Sequence, residues 1–442
     1  MALGGNDMND TGLRIGPWEL VPGVRKSHFV SLLIASFFTI GLMTLVGNLQ
    51  PYLFNAVLHV PLDEQGRLGG GLASSNEIVF LIAASILGAA SDKVGRRPIY
   101  ALGFLIMALA YVLYPLAEQP STLYAFRALF AIGAACVSAM IAAIIADYAA
   151  ERARGKLVGI CFFLNGIGVA TLVVVGGRLP KVVEAMGADP VWAARCSYWT
   201  VAAACLLPML VVAFGLQPGA PARLTAKEPL LGTLRAGLAA ARDRRVLLAY
   251  LSAMVSRGDL AVLSTFFLLW LTTHGISQGI GAAEAQAAGT KFFAIAQVFA
   301  TFWAVIVIAF IDRLDRVLAL SLAMAIAAAS YIAIGLIEDP LGRNMYYASA
   351  FMGVGEMSGI LASQSLIGQV SESRNRGAVI GVFSMFGAAG ILLATFAGGI
   401  LFDAWRPSAP YLLVGVGDAL LALFALFVYF AAPRNDVVAR PA

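Results

Sequence analysis

Twelve long apolar stretches recur along this 442-residue chain. About 20 apolar residues in a helix cross the ~30 Å hydrocarbon core of a bilayer. Lipid offers the backbone no hydrogen-bond partner, so such spans must be helices, and the alternation typical of membrane β-strands is absent. The pattern predicts an all-α transmembrane protein with helices near 28–56, 73–91, 98–117, 122–147, 156–179, 193–216, 246–273, 288–311, 317–337, 344–370, 377–402 and 409–431.

The composition excludes an ordinary soluble protein. Hydrophobic residues make up 60% and charged residues 12% of the chain, whereas soluble domains carry about 25% charge. The net charge of +5 comes from basic residues that flank the spans, so we expect no nucleic-acid partner. The four cysteines and three histidines have no metal-ligand spacing, and we expect neither a metal site nor a cofactor.

The polar segments between the spans divide the chain into five regions. Residues 1–27 are predicted to be a cytoplasmic N-terminal segment without the apolar core and cleavage site of a signal peptide. Six-helix bundles are predicted at 28–216 and 246–432. The basic segment 217–245 contains prolines and glycines, which favours a cytoplasmic linker that is partly helical. A cytoplasmic tail follows at 433–442.

The distribution of basic residues predicts the orientation. With the N-terminus inside, the cytoplasmic segments hold 21 of the 30 lysines and arginines, and seven lie outside. Cytoplasmic loops of membrane proteins carry such an excess. We therefore expect both termini in the cytoplasm of a multi-pass protein of the cell inner membrane.

An internal repeat links the two halves. Arg152-Ala-Arg154-Gly155, followed by Gly159, Gly168, Gly176 and Gly177, is matched 222 residues later by Arg374-Asn-Arg376-Gly377, followed by Gly381, Gly390, Gly398 and Gly399. Parallel repeats about an axis along the membrane normal are typical of transporters, which bind substrate between the repeats.

One cytoplasmic loop carries a specific motif, Gly88-Ala-Ala-Ser-Asp92-Lys93-Val-Gly95-Arg96-Arg97-Pro98. It resembles the signature loop of the major facilitator superfamily, and the twelve spans and the half-chain repeat extend that resemblance over nearly the whole chain. The resemblance implies two six-helix bundles related by a pseudo-twofold axis. It also implies a gating role for Gly88, Asp92, Gly95, Arg96 and Arg97.

In that family the loop acts as a latch. By motif position, Asp92 would cap the helix that starts near Arg376-Gly377, and Arg96 would pair with Asp147. A carboxylate at a helix N-terminus gains about 0.3–1 kcal/mol, which is weak enough to break in each cycle. The second half has only the degenerate copy Asp312-Arg313-Leu-Asp315-Arg316.

Ionisable residues within spans cost about 2.5–3.5 kcal/mol or more and mark functional positions. Arg127 resembles the family's fourth-helix arginine, with outward snorkelling as the alternative. Arg257 and Asp259 lie in the seventh span and Glu356 in the tenth, where Glu356 is a candidate partner of Arg257.

We expect Asp259 or Glu356 to exchange protons and Arg257 or Arg127 to bind substrate. A static ion-pair network is the alternative. Glu77 fits either the cavity or an outer gate. Asp418 is interpreted as structural or incidental, because the twelfth helix is peripheral in the family.

Uncharged polar side chains could line the cavity or bond a neighbouring helix. They include Asn48, Gln50, Asn165, Gln297, Ser363 and Gln364. The fifth span lacks the proline of the family's antiporter signature.

These features predict a proton-coupled secondary transporter. It moves a small organic anion or zwitterion as a monomer by alternating access. The alternatives are a proton-driven exporter of amphipathic compounds, an intramembrane enzyme that uses Asp259 and Glu356, and a transporter-like sensor. We favour a protein that is not an enzyme, because no nucleophile or metalloprotease motif occurs. No ATP-binding motif of the GxxxxGK[ST] type occurs either.

Overall fold

The computed structural model describes residues 13–219, 230–311, 313–371 and 376–431. Within these ranges the chain forms one small antiparallel hairpin, β1 (Arg14–Ile15) and β2 (Trp18–Glu19), and otherwise helices. The helices are α1 (Lys26–Ala56), α2 (Gln65–Val94), α3 (Arg96–Leu113), α4 (Pro120–Tyr148), α5 (Arg154–Ala185), α6 (Pro190–Gly215), α7 (Leu230–Ala240), α8 (Arg244–Ser277), α9 (Ala282–Ile311), α10 (Arg316–Gly335), α11 (Asn344–Val370), α12 (Arg376–Ala404) and α13 (Ala409–Ala431).

All twelve predicted spans are helices, α1–α6 and α8–α13, which confirms the predicted fold class. In the described part of the chain, eleven of them are long and apolar enough to cross a membrane. The remaining one, α11, has 27 residues and is more polar because it contains Glu356 and several serines. The linker contains the additional helix α7, in agreement with the prediction that the linker is partly helical.

Several helices extend beyond their predicted ends. α2 begins at Gln65, whereas hydropathy predicts residue 73. Gln65 is buried and donates from Nε2 to Asn55 Oδ1 at 2.9 Å and to the Val60 carbonyl at 2.9 Å. The apolar pattern ends where the chain becomes polar, but backbone hydrogen bonding continues through that polar turn.

The chain forms two compact units. Unit 1 comprises Met1–Thr225 and Phe267–Val298, and unit 2 comprises Ala226–Phe266 and Phe299–Ala442. Each unit is an assembly of packed helices with an apolar interior. In unit 2 that interior includes Tyr250, Met324 and Leu366.

The repeated glycines are sites of close helix crossing. In unit 1, a methyl group at Gly168 of α5 would overlap the Phe37 carbonyl of α1, and one at Gly41 would meet the Gly168 carbonyl at 2.9 Å. In unit 2, a methyl group at Gly390 of α12 would overlap the Met254 carbonyl of α8. The internal repeat of the sequence therefore corresponds to the same crossing of two helices in each unit.

The described part of the N-terminal segment, from residue 13, contacts the connection between α4 and α5. The Val21 amide donates to the Tyr148 carbonyl at 3.1 Å, and the Ala150 amide donates to the Glu19 carbonyl at 3.1 Å. Trp18 Nε1 donates to the Lys156 carbonyl at 3.3 Å. The hairpin thus binds the connection between α4 and α5, a contact that the polar character of residues 1–27 does not predict.

Candidate functional site

The fourth-span arginine of unit 1 is inserted among aromatic rings. Arg127 Cζ lies 5.5 Å from the centroid of the Phe130 ring, and Tyr111, Tyr114 and Tyr198 are near enough to interact with its charge. Its Nε and Nη1 atoms are buried and have no hydrogen-bond acceptor among the described residues. A guanidinium with buried and unused donors is suited to an anionic group.

Amide side chains of unit 1 provide further polar atoms. Gln50 is buried and its Oε1 accepts from the Tyr114 hydroxyl at 3.1 Å. Asn48 donates to the Thr44 carbonyl at 2.9 Å. The Oδ1 atoms of Asn48 and Asn165 are buried without a donor in the described residues, as is that of Asn76, which the sequence interpretation missed. Glu77, next to it, is half-buried.

The charged residues of the seventh span face in different directions. α8 is continuous through Gly258, so Arg257 and Asp259 lie on different sides of the helix. Arg257 is exposed, and its aliphatic part packs beside Gly387 of α12, whereas Asp259 is only 1% exposed. A guanidinium in the middle of a span must face water or a cavity, because lipid does not solvate it.

Three carboxyl groups of unit 2 converge. Asp259 of α8 interacts electrostatically with Glu356 of α11 and with Asp418 of α13. Glu356 is 3% and Asp418 0% exposed. Glu356 Oε2, Asp259 Oδ1 and both oxygens of Asp418 are buried without a hydrogen-bond donor in the described part of the chain.

This arrangement changes two sequence interpretations. Arg257 forms no ion pair with Glu356 among the described residues, because Arg257 is exposed and Glu356 is buried. Asp418 belongs with Asp259 and Glu356 rather than at an incidental position. The sequence already contained an indication that Asp418 is a functional candidate, since an acid within a span is costly wherever the helix lies.

The polar residues of α11 have separate environments. Ser363 is buried and its hydroxyl lies 2.8 Å from the Ser252 hydroxyl of α8, so this residue joins two helices. Gln364, which was predicted as a substrate ligand, is exposed on another side.

The cytoplasmic loop between α2 and α3 forms a local ion-pair network. Gly95 ends α2 with φ +103°, a conformation that favours glycine. Arg96 donates from Nη1 to Asp92 Oδ1 at 2.7 Å and from Nε to Asp147 Oδ2 at 3.2 Å. The Arg96–Asp147 contact is the one that the family resemblance implies.

The other loop residues do not extend this network. Gly88 lies in α2 with open space around it, and Arg97 is half-buried. The contact of Asp92 with the start of α12 remains a prediction. In the degenerate second copy, Asp315 caps α10 by accepting from the Val317 amide at 2.9 Å, and Asp312 lies outside the described residues.

Comparison with known protein families identifies one match over nearly the whole chain. A sequence model described as the Major Facilitator Superfamily matches residues 32–355 and 312–442. The magnetosome protein MamH of Paramagnetospirillum magneticum is 25% identical over 411 residues, 91% of this chain and 93% of that protein. Magnetosome protein MamZ of the same organism is 26% identical over 404 residues, 86% of this chain but 59% of that protein.

A solved structure shows the same fold. The nucleoside transporter NupG superposes with a TM-score of 0.69 at 15% identity, over 92% of this chain and 100% of that structure. The family match covers nearly all of the spans, and the helix order, the duplicated glycine crossings and the signature loop agree with it. This multi-pass membrane protein belongs to the Major Facilitator Superfamily.

Proposed function

We propose that the protein is a proton-coupled secondary transporter of a small organic anion or zwitterion in the cell inner membrane. It acts as a monomer and performs no covalent chemistry on its substrate. The bundles at 28–216 and 246–432 are the parts that move in alternating access, with both termini in the cytoplasm.

The observation that carries this proposal is the environment of Arg127. Two buried N–H groups of a guanidinium without an acceptor are costly, and an anionic substrate group would satisfy both. The aromatic rings around Arg127 exclude water and strengthen such a bond. Asn48 and Asn165 offer oxygen atoms that could accept from an ammonium or hydroxyl group. Arg257, exposed in mid-span, is a second candidate for the substrate.

Proton coupling is assigned to the buried acids of unit 2. A carboxyl group in apolar surroundings without a cation favours its neutral form. Asp259 and Glu356 meet this condition, so each is able to take up a proton when water reaches it and to release the proton on the other side.

The Arg96–Asp147 contact is proposed as a gate latch. Its groups are partly exposed, with 19% and 38% of the two side chains accessible. Exposed ion pairs contribute roughly 0–1 kcal/mol, which allows the contact to break repeatedly.

The first experiment identifies the substrate class. Purified protein is screened by thermal shift at two pH values against mono- and dicarboxylates, amino acids and organic cations, because a bound ligand raises the apparent stability. Ligands that stabilise the protein are then tested for uptake or expulsion by proteoliposomes under an imposed pH gradient.

Variants test the assigned roles. We expect Arg127→Gln to abolish stabilisation by anions, while Arg343→Gln, at an exposed loop arginine, retains it. Asp259→Asn or Glu356→Gln should retain binding but lose accumulation driven by the pH gradient. Binding restricted to cations, or gradient-driven transport in both acid variants, would refute the corresponding part of the proposal. Turnover of a ligand without flux would indicate an enzyme instead.

A further inference from the structure

The packing of α13 places Asp418 against α8 and α10. A methyl group at Gly415 would meet Tyr331 Cβ of α10 at 3.2 Å, and one at Gly417 would lie 4.0 Å from Val255 of α8. One turn later, the Ala422 carbonyl accepts from the Ser321 hydroxyl of α10 at 2.9 Å. Asp418 is therefore enclosed between the two helices, and its carboxyl group interacts with that of Asp259.

Two ionised carboxylates cannot hydrogen-bond each other, because neither has a donor. Both Asp418 oxygens are without a donor among the described residues, although Asp418 and Asp259 interact. A proton on either acid would provide the missing bond. Two interacting like charges in a buried site without a cation also disfavour the state in which both carboxyl groups are ionised.

The groups around the pair are acidic or neutral. Glu356 faces it from α11, Tyr331 from α10, and Tyr411 of α13 stacks on Tyr331 with ring centroids 6.4 Å apart. No arginine, lysine or histidine in the described residues forms an ion pair with the three acids. Nor do the described residues contain a group of His, Cys, Asp or Glu side chains arranged to hold a metal ion.

Tyr331 supplies an independent indication of a binding function. Its side chain is 0% exposed, and its hydroxyl has no hydrogen-bond partner among the described residues although it interacts electrostatically with all three acids. An unused hydroxyl donor in a buried site costs about 1–3 kcal/mol. The Tyr331 hydroxyl can donate a hydrogen bond when a neighbouring carboxyl group is negatively charged.

We propose that Asp259 and Asp418 form a proton-binding carboxyl pair that alternates between holding two protons and sharing one. The neutral state holds one proton on each acid. Release of one proton to water leaves a single proton between the two carboxyl groups and a net charge of −1, which the Tyr331 hydroxyl stabilises by donation. Uptake from water reverses the step. The proposal rests on proton coupling and identifies Asp418 as the second half of its site.

The test is infrared spectroscopy of the purified full chain as the pH is changed, with the C=O band of protonated carboxyl groups as the signal. In Asp418→Asn, the like charge is removed and the amide donates to Asp259. We therefore expect the midpoint of proton loss to fall by about one pH unit or more. Glu356→Gln, which leaves the pair intact, should shift that midpoint less.

Tyr331→Phe tests the same site without altering an acid. The charged state loses its donor, so the midpoint of proton loss should move to higher pH, whereas Tyr250→Phe, which loses only a bond to the Gly237 carbonyl, should leave it in place. This variant keeps the proposal testable if Asp418→Asn fails to fold.

An unchanged midpoint in Asp418→Asn or Tyr331→Phe overturns the pair, as does an equal or larger shift in Glu356→Gln. The infrared signal of the carboxyl groups is measured without any transport of substrate. If the expected shifts occur but a pH gradient drives no flux, proton coupling is wrong while the carboxyl pair stands.

Discussion

Individual residues within the signature loop have different physical roles. Gly88 and Gly95 belong to the same motif, but only Gly95 has a positive φ, +103°. Gly88 is helical, and apart from its own helix backbone and its chain neighbours no atom of the described residues lies within 4 Å of the place where a side chain would begin. The motif therefore contains one glycine that the backbone requires and one that it does not.

We expect Gly95→Ala to destabilise the protein by roughly 1–3 kcal/mol, because this backbone conformation is almost restricted to glycine. Gly88→Ala should be neutral or stabilising, since alanine favours the interior of a helix. Thermal unfolding of both variants in detergent provides the comparison. Equal stability of the two would contradict the role of Gly95.

Helices of this protein are fixed by close crossings and by a terminal hairpin. The crossing of α8 with α12 at Gly258 and Gly390 matters for the site, because it sets the rotation of α8. That rotation exposes Arg257 and buries Asp259. The same type of crossing, at Gly41 and Gly168, joins α1 and α5 in unit 1.

A methyl group at Gly390 would overlap the backbone of α8, so Gly390→Ala should destabilise the protein by about 1–3 kcal/mol or more. Gly381→Ala, in the same helix with open space around the glycine, should have little effect. We expect the first variant also to alter the accessibility of Asp259, measured as its rate of hydrogen–deuterium exchange in the carboxyl infrared band. Similar stabilities of Gly390→Ala and Gly381→Ala would show that α12 can move away from α8.

The N-terminal hairpin holds the connection between α4 and α5, next to Asp147. Trp18 also packs on Phe29 of α1, with ring centroids 5.7 Å apart. Trp18→Ala should therefore increase amide exchange in residues 148–156, because these backbone groups lose their cover. Arg14→Ala, at an exposed position of the same hairpin, is the control. Unchanged exchange in Trp18→Ala would mean that the hairpin does not restrain this connection.

At the scale of the whole molecule, the distribution of contacts does not follow the order of spans. The end of α8 and the first part of α9 belong to unit 1. There, Gln286 Oε1 accepts from the Tyr52 amide at 2.9 Å, and Lys181 Nζ lies 3.1 Å from Glu284 Oε1. The first part of α9, a helix of the second half of the sequence, thus contacts α1 and α5.

The alternating access that we propose for this protein requires the contact between α5 and α9 to open. A carbodiimide, which joins an adjacent amine and carboxylate, should couple Lys181 to Glu284 and reduce transport in proportion to the cross-linked fraction. Peptide mapping measures the coupling, and Lys181→Gln should be neither coupled at this position nor inhibited. Full transport by fully cross-linked protein would show that this contact stays closed throughout the cycle.

The sequence by itself determined the spans, the repeat and the family, because hydropathy, helix length and spaced glycines are local properties along the chain. It also singled out Arg127, Asp259 and Glu356 as candidate functional residues, since a charge within a span is costly regardless of its neighbours. Only the tertiary structure decided which charges meet. The rotation of α8 separates Arg257 from Glu356, and the packing of α13 brings Asp418 to Asp259, because both depend on helix contacts between residues far apart in the sequence.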